Sequence, residues 1–312
     1  MPLATMNELL VNAQRGKYIV CYCESWNLES FQAVLEAAQS SASPVITGFN
    51  GGFLMHRDRE KQENLAHYAG LKMALKEAGI PAAFLLNESD DFSQLMRAIE
   101  LGFTALMVEN EHLPIEDYLP LVKRVVRHAH QAGVSVEAAV GRLADGAGHV
   151  KAESTHAMMA RRFVEETGVD ALGVAVGNIH ILTQGTTSID LDALELIHRQ
   201  VAVPLVLHGG TGIQLQDVRS YVDRGVAKIN FGTVLKQAYL AAVRKALTSY
   251  REPMDPHPFL GIGGAQDVLV AGRKAVREKV EGLMLQCGSN GKVKLEQASG
   301  AGMTRLSSHE QA

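Results

Sequence analysis

Cysteine is scarce in this chain: Cys21, Cys23 and Cys287 are its only three in 312 residues. Three thiols cannot build the paired framework of a disulfide-stapled secreted domain. Cys21 and Cys23, two residues apart in a strand-like run, share one face and read as small buried side chains or soft metal ligands. A charge excess of one sign is also missing. Thirty Lys and Arg face 34 Asp and Glu, for a net charge of −4, and the basic residues are dispersed. That excludes the footprint of a nucleic-acid-binding surface. No apolar run approaches the ~20 residues of a membrane-spanning helix. The start, Met1-Pro2-Leu3-Ala4-Thr5, has neither the charged nor the apolar region of a secretory signal. These absences predict a reduced, cytoplasmic protein with no nucleic-acid or membrane partner.

What is present is apolar and periodic. Hydrophobic residues make up 46% of the chain, enough for one large α/β barrel or two smaller domains. Eight β-rich runs are evident: Tyr18–Tyr22, Pro44–Thr47, Ala82–Leu86, Ala105–Val108, Val134–Ala138, Leu172–Val176, Pro204–His208 and Ala227–Phe231. Most are continuously apolar, as in parallel strands covered on both faces. Helical stretches lie between them, among them Arg59–Ala78, Phe92–Leu101, Ile115–Ala132 and Leu191–Gln200. Gly79 and Gly133 mark two of their ends. A helix over Met6–Ala13 begins with a capping box, Thr5 to Glu8. Eight strand–helix units predict a (β/α)8 TIM barrel, with an N-terminal helix and extra C-terminal helices, Thr233–Tyr250 and Val268–Leu285. A doubly wound open sheet is the alternative, weakened because no G-x-G-x-x-G follows the first strand. Residues 1–292 are expected to form this single domain, and residues 293–312, rich in Ser, Gly and Gln, a disordered tail.

A barrel of this kind carries its site at the carboxyl ends of its strands. Reading those ends in order gives Glu24, Trp26 and Asn27; Asn50-Gly51-Gly52; Asn87 and Glu88; Glu109 and Glu111; Glu137; Asn178 and His180; His208; and Asn230 with Thr233. Eight polar strand ends on one rim suit a small-molecule enzyme, with Asn50 expected among its substrate contacts. Glu88, His180 and His208 offer two imidazoles and a carboxylate, a set that suits Zn²⁺ with an open position, or Fe²⁺ or Mn²⁺. The plainer reading is a salt-bridged glutamate and two loop histidines satisfied by carbonyls. His208-Gly209-Gly210-Thr211-Gly212 places glycines between a strand and a helix, as a phosphate cradle does, and Asn230 and Thr233 after the eighth strand complete it. A tight turn without a ligand would look the same.

Several stretches together carry a family resemblance. They are Asn12-Ala13-Gln14-Arg15-Gly16, Asn27-Leu28-Glu29, Val134-Ser135-Val136-Glu137-Ala138, Gly177-Asn178-Ile179-His180, Leu205 to Gly212, Lys228-Ile229-Asn230-Phe231-Gly232-Thr233 and Cys287 to Lys292. From about Met6 to Lys292 the chain resembles the class II, metal-dependent ketose-bisphosphate aldolases, the fructose- and tagatose-bisphosphate group. The resemblance implies a TIM barrel, a dimer or tetramer, and a bound Zn²⁺ that polarises the ketose carbonyl and stabilises the enediolate left by C–C cleavage. Two of the family's three metal histidines map onto His180 and His208. The third belongs to a His-x-Asp-His motif that reads Leu85-Leu86-Asn87-Glu88 here. Glu88 therefore stands for a ligand histidine and Asn87 for the catalytic aspartate.

Further departures follow the same rim. The family's second acid after the fifth strand is Ala139, its aspartate after the fourth strand is Glu109, and the small residue after the sixth-strand histidine is Ile181. The catalytic loop, Gly141 to His149, offers Asp145 and His149 in place of a glutamate. A carboxylate for imidazole lowers the site's net charge, and Asn87 cannot accept a proton. The resemblance implies a metal-dependent lyase acting on a phosphorylated or related sugar, with Glu109, Glu137, Asp145 or His149 carrying the proton in place of the residue at Asn87. Two alternatives remain at this point: changed chemistry on the same barrel, such as isomerisation, epimerisation or aldol cleavage of a non-phosphorylated substrate, and a silent paralogue serving as a binding or structural subunit.

Overall fold

The computed structural model describes residues 3–109, 113–148 and 150–293. Glu111, His149 and residues 294–312 lie outside them. Eight strands close into an all-parallel barrel: β1 (Val20–Ser25), β2 (Val45–Asn50), β3 (Ala82–Ser89), β4 (Ala105–Val108), β5 (Ser135–Val140), β6 (Ala171–Val174), β7 (Leu205–Leu207) and β8 (Val226–Phe231). Neighbours in sequence are neighbours in space, and β1 closes the ring by pairing with β8, Tyr22 level with Asn230. The (β/α)8 expectation holds and the open sheet is set aside.

The pleat sorts the apolar residues into two cores. Val20, Tyr22, Ile46, Ala83, Leu85, Ala105, Met107, Ala171, Val206 and Ala227 fill the barrel interior. The alternate residues, including Cys21, Cys23, Phe84, Leu86, Leu106, Val136, Leu172, Leu207 and Ile229, face the surrounding helices. Cys21 and Cys23 are thus buried apolar side chains of the outer core. The helix Met6–Gly16 carries the expected Thr5–Glu8 capping box and packs Met6, Leu9, Leu10 and Ala13 into the interior core. It also donates from Asn7 N–H to Ser135 Oγ at the start of β5. One end of the barrel is therefore plugged, and chemistry is left to the other.

Some helical expectations need correction. Arg59–Ala78 is not one helix but two short pieces, Ala66–Ala69 and Lys72–Glu77. From Arg57 to Asn64 the segment is almost wholly charged or amide, so it offers no apolar stripe, and Gly70 separates the pieces that follow. Thr233–Tyr250 is helical as Thr233–Ala246, with a 3₁₀ turn after it. The C-terminal helix, Val268–Gln286, lies against this helix and against Leu28–Ser40. Its end is fastened to β1 where Ile19 N–H donates to the Cys287 carbonyl at 3.0 Å.

Candidate metal centre

β3 presents two consecutive polar side chains to the barrel mouth, which a regular strand cannot do. Glu88 solves this with a left-handed backbone, φ +53°. At the same place the β3–β4 register shifts between Leu86 and Ser89. Such a bulge re-aims a side chain, and a left-handed non-glycine residue costs on the order of 1–3 kcal/mol, a strain that gathers at functional sites. Asn87 Nδ2 donates to Glu88 Oε1 at 2.8 Å, and Asn50 Nδ2 donates to Glu88 Oε2 at 2.5 Å. Asn50 also accepts from Phe53 N–H, so both ends of its amide are engaged.

His180 and His208 close on the same carboxylate. His180 Nε2 lies 3.5 Å and His208 Nδ1 3.6 Å from Glu88 Oε1. Among the described residues these three form one group able to hold a metal, with one donor atom from each within 4.8 Å of the others. Burial alone would raise the Glu88 carboxyl, but His180 and His208 outweigh it and hold it well below the usual carboxylate range. Two imidazoles and an ionised carboxylate converging at this spacing fit a divalent cation.

The two histidines are held very differently. His180 sits on a two-residue strand, Ile179–His180, paired beside the barrel with Ala144–Asp145 so that Asp145 lies level with His180. Ile181, next in the chain, has φ +51° and is half exposed. His208 is buried. Its Nε2 bonds Glu137 Oε1 at 2.7 Å, and Glu137 Oε2 accepts from Lys228 Nζ at 2.7 Å. Glu137 and Lys228 have no exposed surface. Burial would raise the Glu137 carboxyl, but Lys228 and His208 keep it ionised below its ordinary range. A charged Glu137 accepts from Nε2–H, so the neutral His208 ring that would hold a cation carries its lone pair on Nδ1. Asn178 Nδ2 donates to the His208 carbonyl at 3.0 Å and supports the backbone.

The glycine-rich loop runs on from His208. Gly209 has φ +72°, and a Cβ there would collide with the Ile179 carbonyl. The loop therefore packs directly on the backbone that carries His180. Gly210 N–H donates to the Asn230 carbonyl at 2.9 Å, and Thr211 Oγ1 accepts from Val234 N–H at 3.2 Å. Thr233 opens the following helix. Both side-chain atoms of Asn230, and Asn87 Oδ1, are buried without a hydrogen-bond partner. Each orphan of that kind costs about 1–3 kcal/mol, which marks the space they border as a ligand site. Glu109 follows β4, tied by its N–H to the Ser89 carbonyl. Asp145 Oδ1 accepts from Val150 N–H.

Residues 4–292 match the family model described as fructose-bisphosphate aldolase class-II. The chain belongs to the class II fructose-bisphosphate aldolase family. It is 33% identical over 302 residues to the fructose-bisphosphate aldolase of Staphylococcus aureus strain N315, covering 94% of this chain and 100% of that one. The YdjI aldolase of Escherichia coli K12 superposes with a TM-score of 0.76 at 26% identity, over 94% of this chain and 100% of that one. A putative fructose-1,6-bisphosphate aldolase of Coccidioides immitis shares the fold, with a TM-score of 0.76 at 24% identity over 92% and 97% of the two chains. The family makes this a class II aldolase-like lyase, in a family that depends on a divalent metal and handles small sugar phosphates. The changed-chemistry and silent-paralogue alternatives are not favoured. Among the described residues, no helix is long and apolar enough to cross a membrane.

Two features of this aldolase site were not assigned roles from sequence. One is Lys228 beneath Glu137, signalled by a lone lysine inside the apolar run Val226–Phe231. The other is Glu24, paired with Lys236 Nζ at 2.5 Å across the β1–β8 seam. Their distance in sequence hid the pair.

Proposed function

We propose that this chain is a zinc-dependent aldolase that cleaves a phosphorylated ketose or a related sugar, with Glu88, His180 and His208 as the metal ligands. The convergence of those three donors from β3, the β6 loop and β7 carries the reading. A bound Zn²⁺ would polarise the ketose carbonyl at this position. The surrounding side chains hold and orient. Asn50 and Asn87 fix the Glu88 carboxylate. Glu137, ionised by Lys228, holds the His208 ring and acts in positioning rather than proton transfer, because it is sealed from solvent. Glu109 and Asp145 stand at the mouth as candidate proton carriers where Asn87 cannot serve. Gly209, Gly210 and Thr211 after β7, with Asn230 near the end of β8 and Thr233 after it, border the region proposed for the substrate phosphate. The protein is proposed to work in the cytoplasm as a homodimer or homotetramer, and residues 1–292 as one domain.

The test is metal analysis of wild type beside Glu88→Ala and His208→Ala, with cleavage assayed on fructose 1,6-bisphosphate and a panel of ketose phosphates. The reading expects near-stoichiometric zinc in the wild type and loss in both variants. Metal retained in both variants would sink the ligand set, and a metal-loaded wild type that cleaves nothing in the panel would sink the activity.

A further inference from the structure

With aspartate absent at position 87 and Glu137 sealed beneath His208, the mouth holds another carboxylate. Glu24 ends the inward-facing series Val20, Tyr22, Glu24 on β1. Val20 and Tyr22 belong to the interior core, so the same pleat directs Glu24 to the top of that core, at the end of the barrel where the metal ligands lie. Tyr22 is level with Asn230 on β8, so Glu24 is level with Gly232. Its Oε2 fills the space that a Cβ on Gly232 would occupy. Glycine at 232 thus leaves room for a carboxylate that arrives from the neighbouring strand. Glu24 is 8% exposed, and its Oε1 is pinned by Lys236 Nζ at 2.5 Å. The lysine is itself bracketed by Phe53, its Nζ 4.4 Å from the ring centre, and by Trp26 at 5.8 Å. One carboxylate oxygen is therefore held by Lys236, while the other lies against Gly232, two residues beyond Asn230, whose amide is buried without a partner.

We propose that Glu24, oriented by Lys236, is the proton carrier of the cleavage, supplying from β1 the carboxylate that Asn87 no longer supplies from β3. The role rests on the aldol reading above. The hydroxyl proton at the bond to be broken passes to Glu24 Oε2. The O–H electron pair becomes the second bond of the aldehyde carbonyl, and the C–C pair moves to the carbon beside the ketone. Glu24 then returns its proton to that carbon. One proton leaves and one comes back, so the step needs no co-reactant. Burial raises the Glu24 carboxyl, Lys236 offsets part of this, and the more distant Glu88 and His180 act in opposite directions. A carboxyl raised in this way is a better proton acceptor than an exposed one.

The test uses the full chain loaded with zinc, with fructose 1,6-bisphosphate and a panel of ketose 1-phosphates as probes. Glu24→Gln is expected to lower kcat by about 10²–10⁴-fold with little change in KM and unchanged zinc content. Glu24→Asp is expected to keep part of the activity. Glu24→Gly is expected to regain turnover with added formate, which a purely structural role would not show. In deuterated water, wild type but not Glu24→Gln is expected to exchange the proton beside the carbonyl of the ketone product. Turnover and exchange that survive in Glu24→Gln overturn this role while leaving the aldolase reading intact. Lost zinc in Glu24→Gln, or absence of formate rescue, also overturns it, because Glu24 would then serve the structure. An inactive wild type overturns the aldolase reading and this role with it.

Discussion

The metal centre has a rigid side and a yielding side. His208 stands on the rigid one: it is buried, its ring is locked onto Glu137, and Lys228 neutralises that glutamate from below. The loop behind it is packed so tightly that Gly209 admits no side chain. His180 stands on the yielding side, a third of its side chain exposed, on a two-residue strand beside the barrel, with a left-handed isoleucine after it. Glu88 faces both, and its own backbone is left-handed. Three of the departures from the family pattern, Asn87, Glu88 and Ile181, fall away from the rigid side, while Ala139 lies on β5 two residues beyond Glu137. A buried ion pair penalises change steeply, because removing one partner leaves the other charged and alone. An exposed loop on a side ribbon carries no such penalty.

The largest effect expected from this contrast is on metal retention. His208→Ala should lose zinc outright, whereas His180→Ala should bind it weakly but measurably, as read by metal content after dialysis and by zinc titration. Equal losses would break the comparison. Next comes the motif on β3. Asn87→Asp alone removes a donor from Glu88 and sets a like charge beside it, so turnover should fall. Asn87→Asp combined with Glu88→His removes the like-charge pair and should recover the turnover lost in Asn87→Asp, but not exceed the wild type, because Glu24 already carries the proton. A double variant about 10²-fold faster than wild type would show that Glu24 does not carry the proton in the wild type.

Glu137→Gln probes the rigid side. It strands Lys228, so urea unfolding at neutral pH should show a loss of about 3–5 kcal/mol, and zinc affinity should fall about 10–100-fold. The pH sign follows from the lowered carboxyl of Glu137. A group whose folded value lies below its unfolded value of about 4.3 stabilises fully above that pH, and the contribution is lost as pH falls through the folded value. The gap between wild type and Glu137→Gln should therefore persist from neutral pH into mild acid and close only in strong acid. A gap that closes near neutrality would assign the loss to another group. The smallest effect belongs to Ile181→Gly, which relieves a left-handed β-branched residue and should stabilise the fold by about 1 kcal/mol, read from the same urea curves.

Much of the fold was legible because parallel strands buried on both faces are written as continuous apolar runs. Ala105–Val108, Phe92–Leu101 and Leu191–Gln200 have the same ends in the sequence pattern and in the fold. Arg59–Ala78 reads as one helix because helix-forming residues outnumber breakers there, but residues 59–64 lack the apolar stripe needed for packing, and only the part from Leu65 onward reaches the core. At the site, Glu88, His180 and His208 could be named together because each closes a strand or follows one. What each partner does could not be read from that position. Asn50, expected among substrate contacts, is engaged by Glu88 and Phe53. Glu137, expected among proton carriers, is locked between His208 and Lys228.

The chain alone determined the barrel, its N-terminal helix and the aldolase family, because periodicity and local motifs act over a few residues and survive in a linear reading. Tertiary structure decided which polar ends meet. Glu24 with Lys236, and Glu137 with Lys228, are 212 and 91 residues apart in sequence. They become neighbours only through the closure of β1 on β8 and the packing of the barrel interior. The electrostatics of the site is built from such pairs, since Coulomb energy depends on distance through space and on burial, and neither is written in the order of residues.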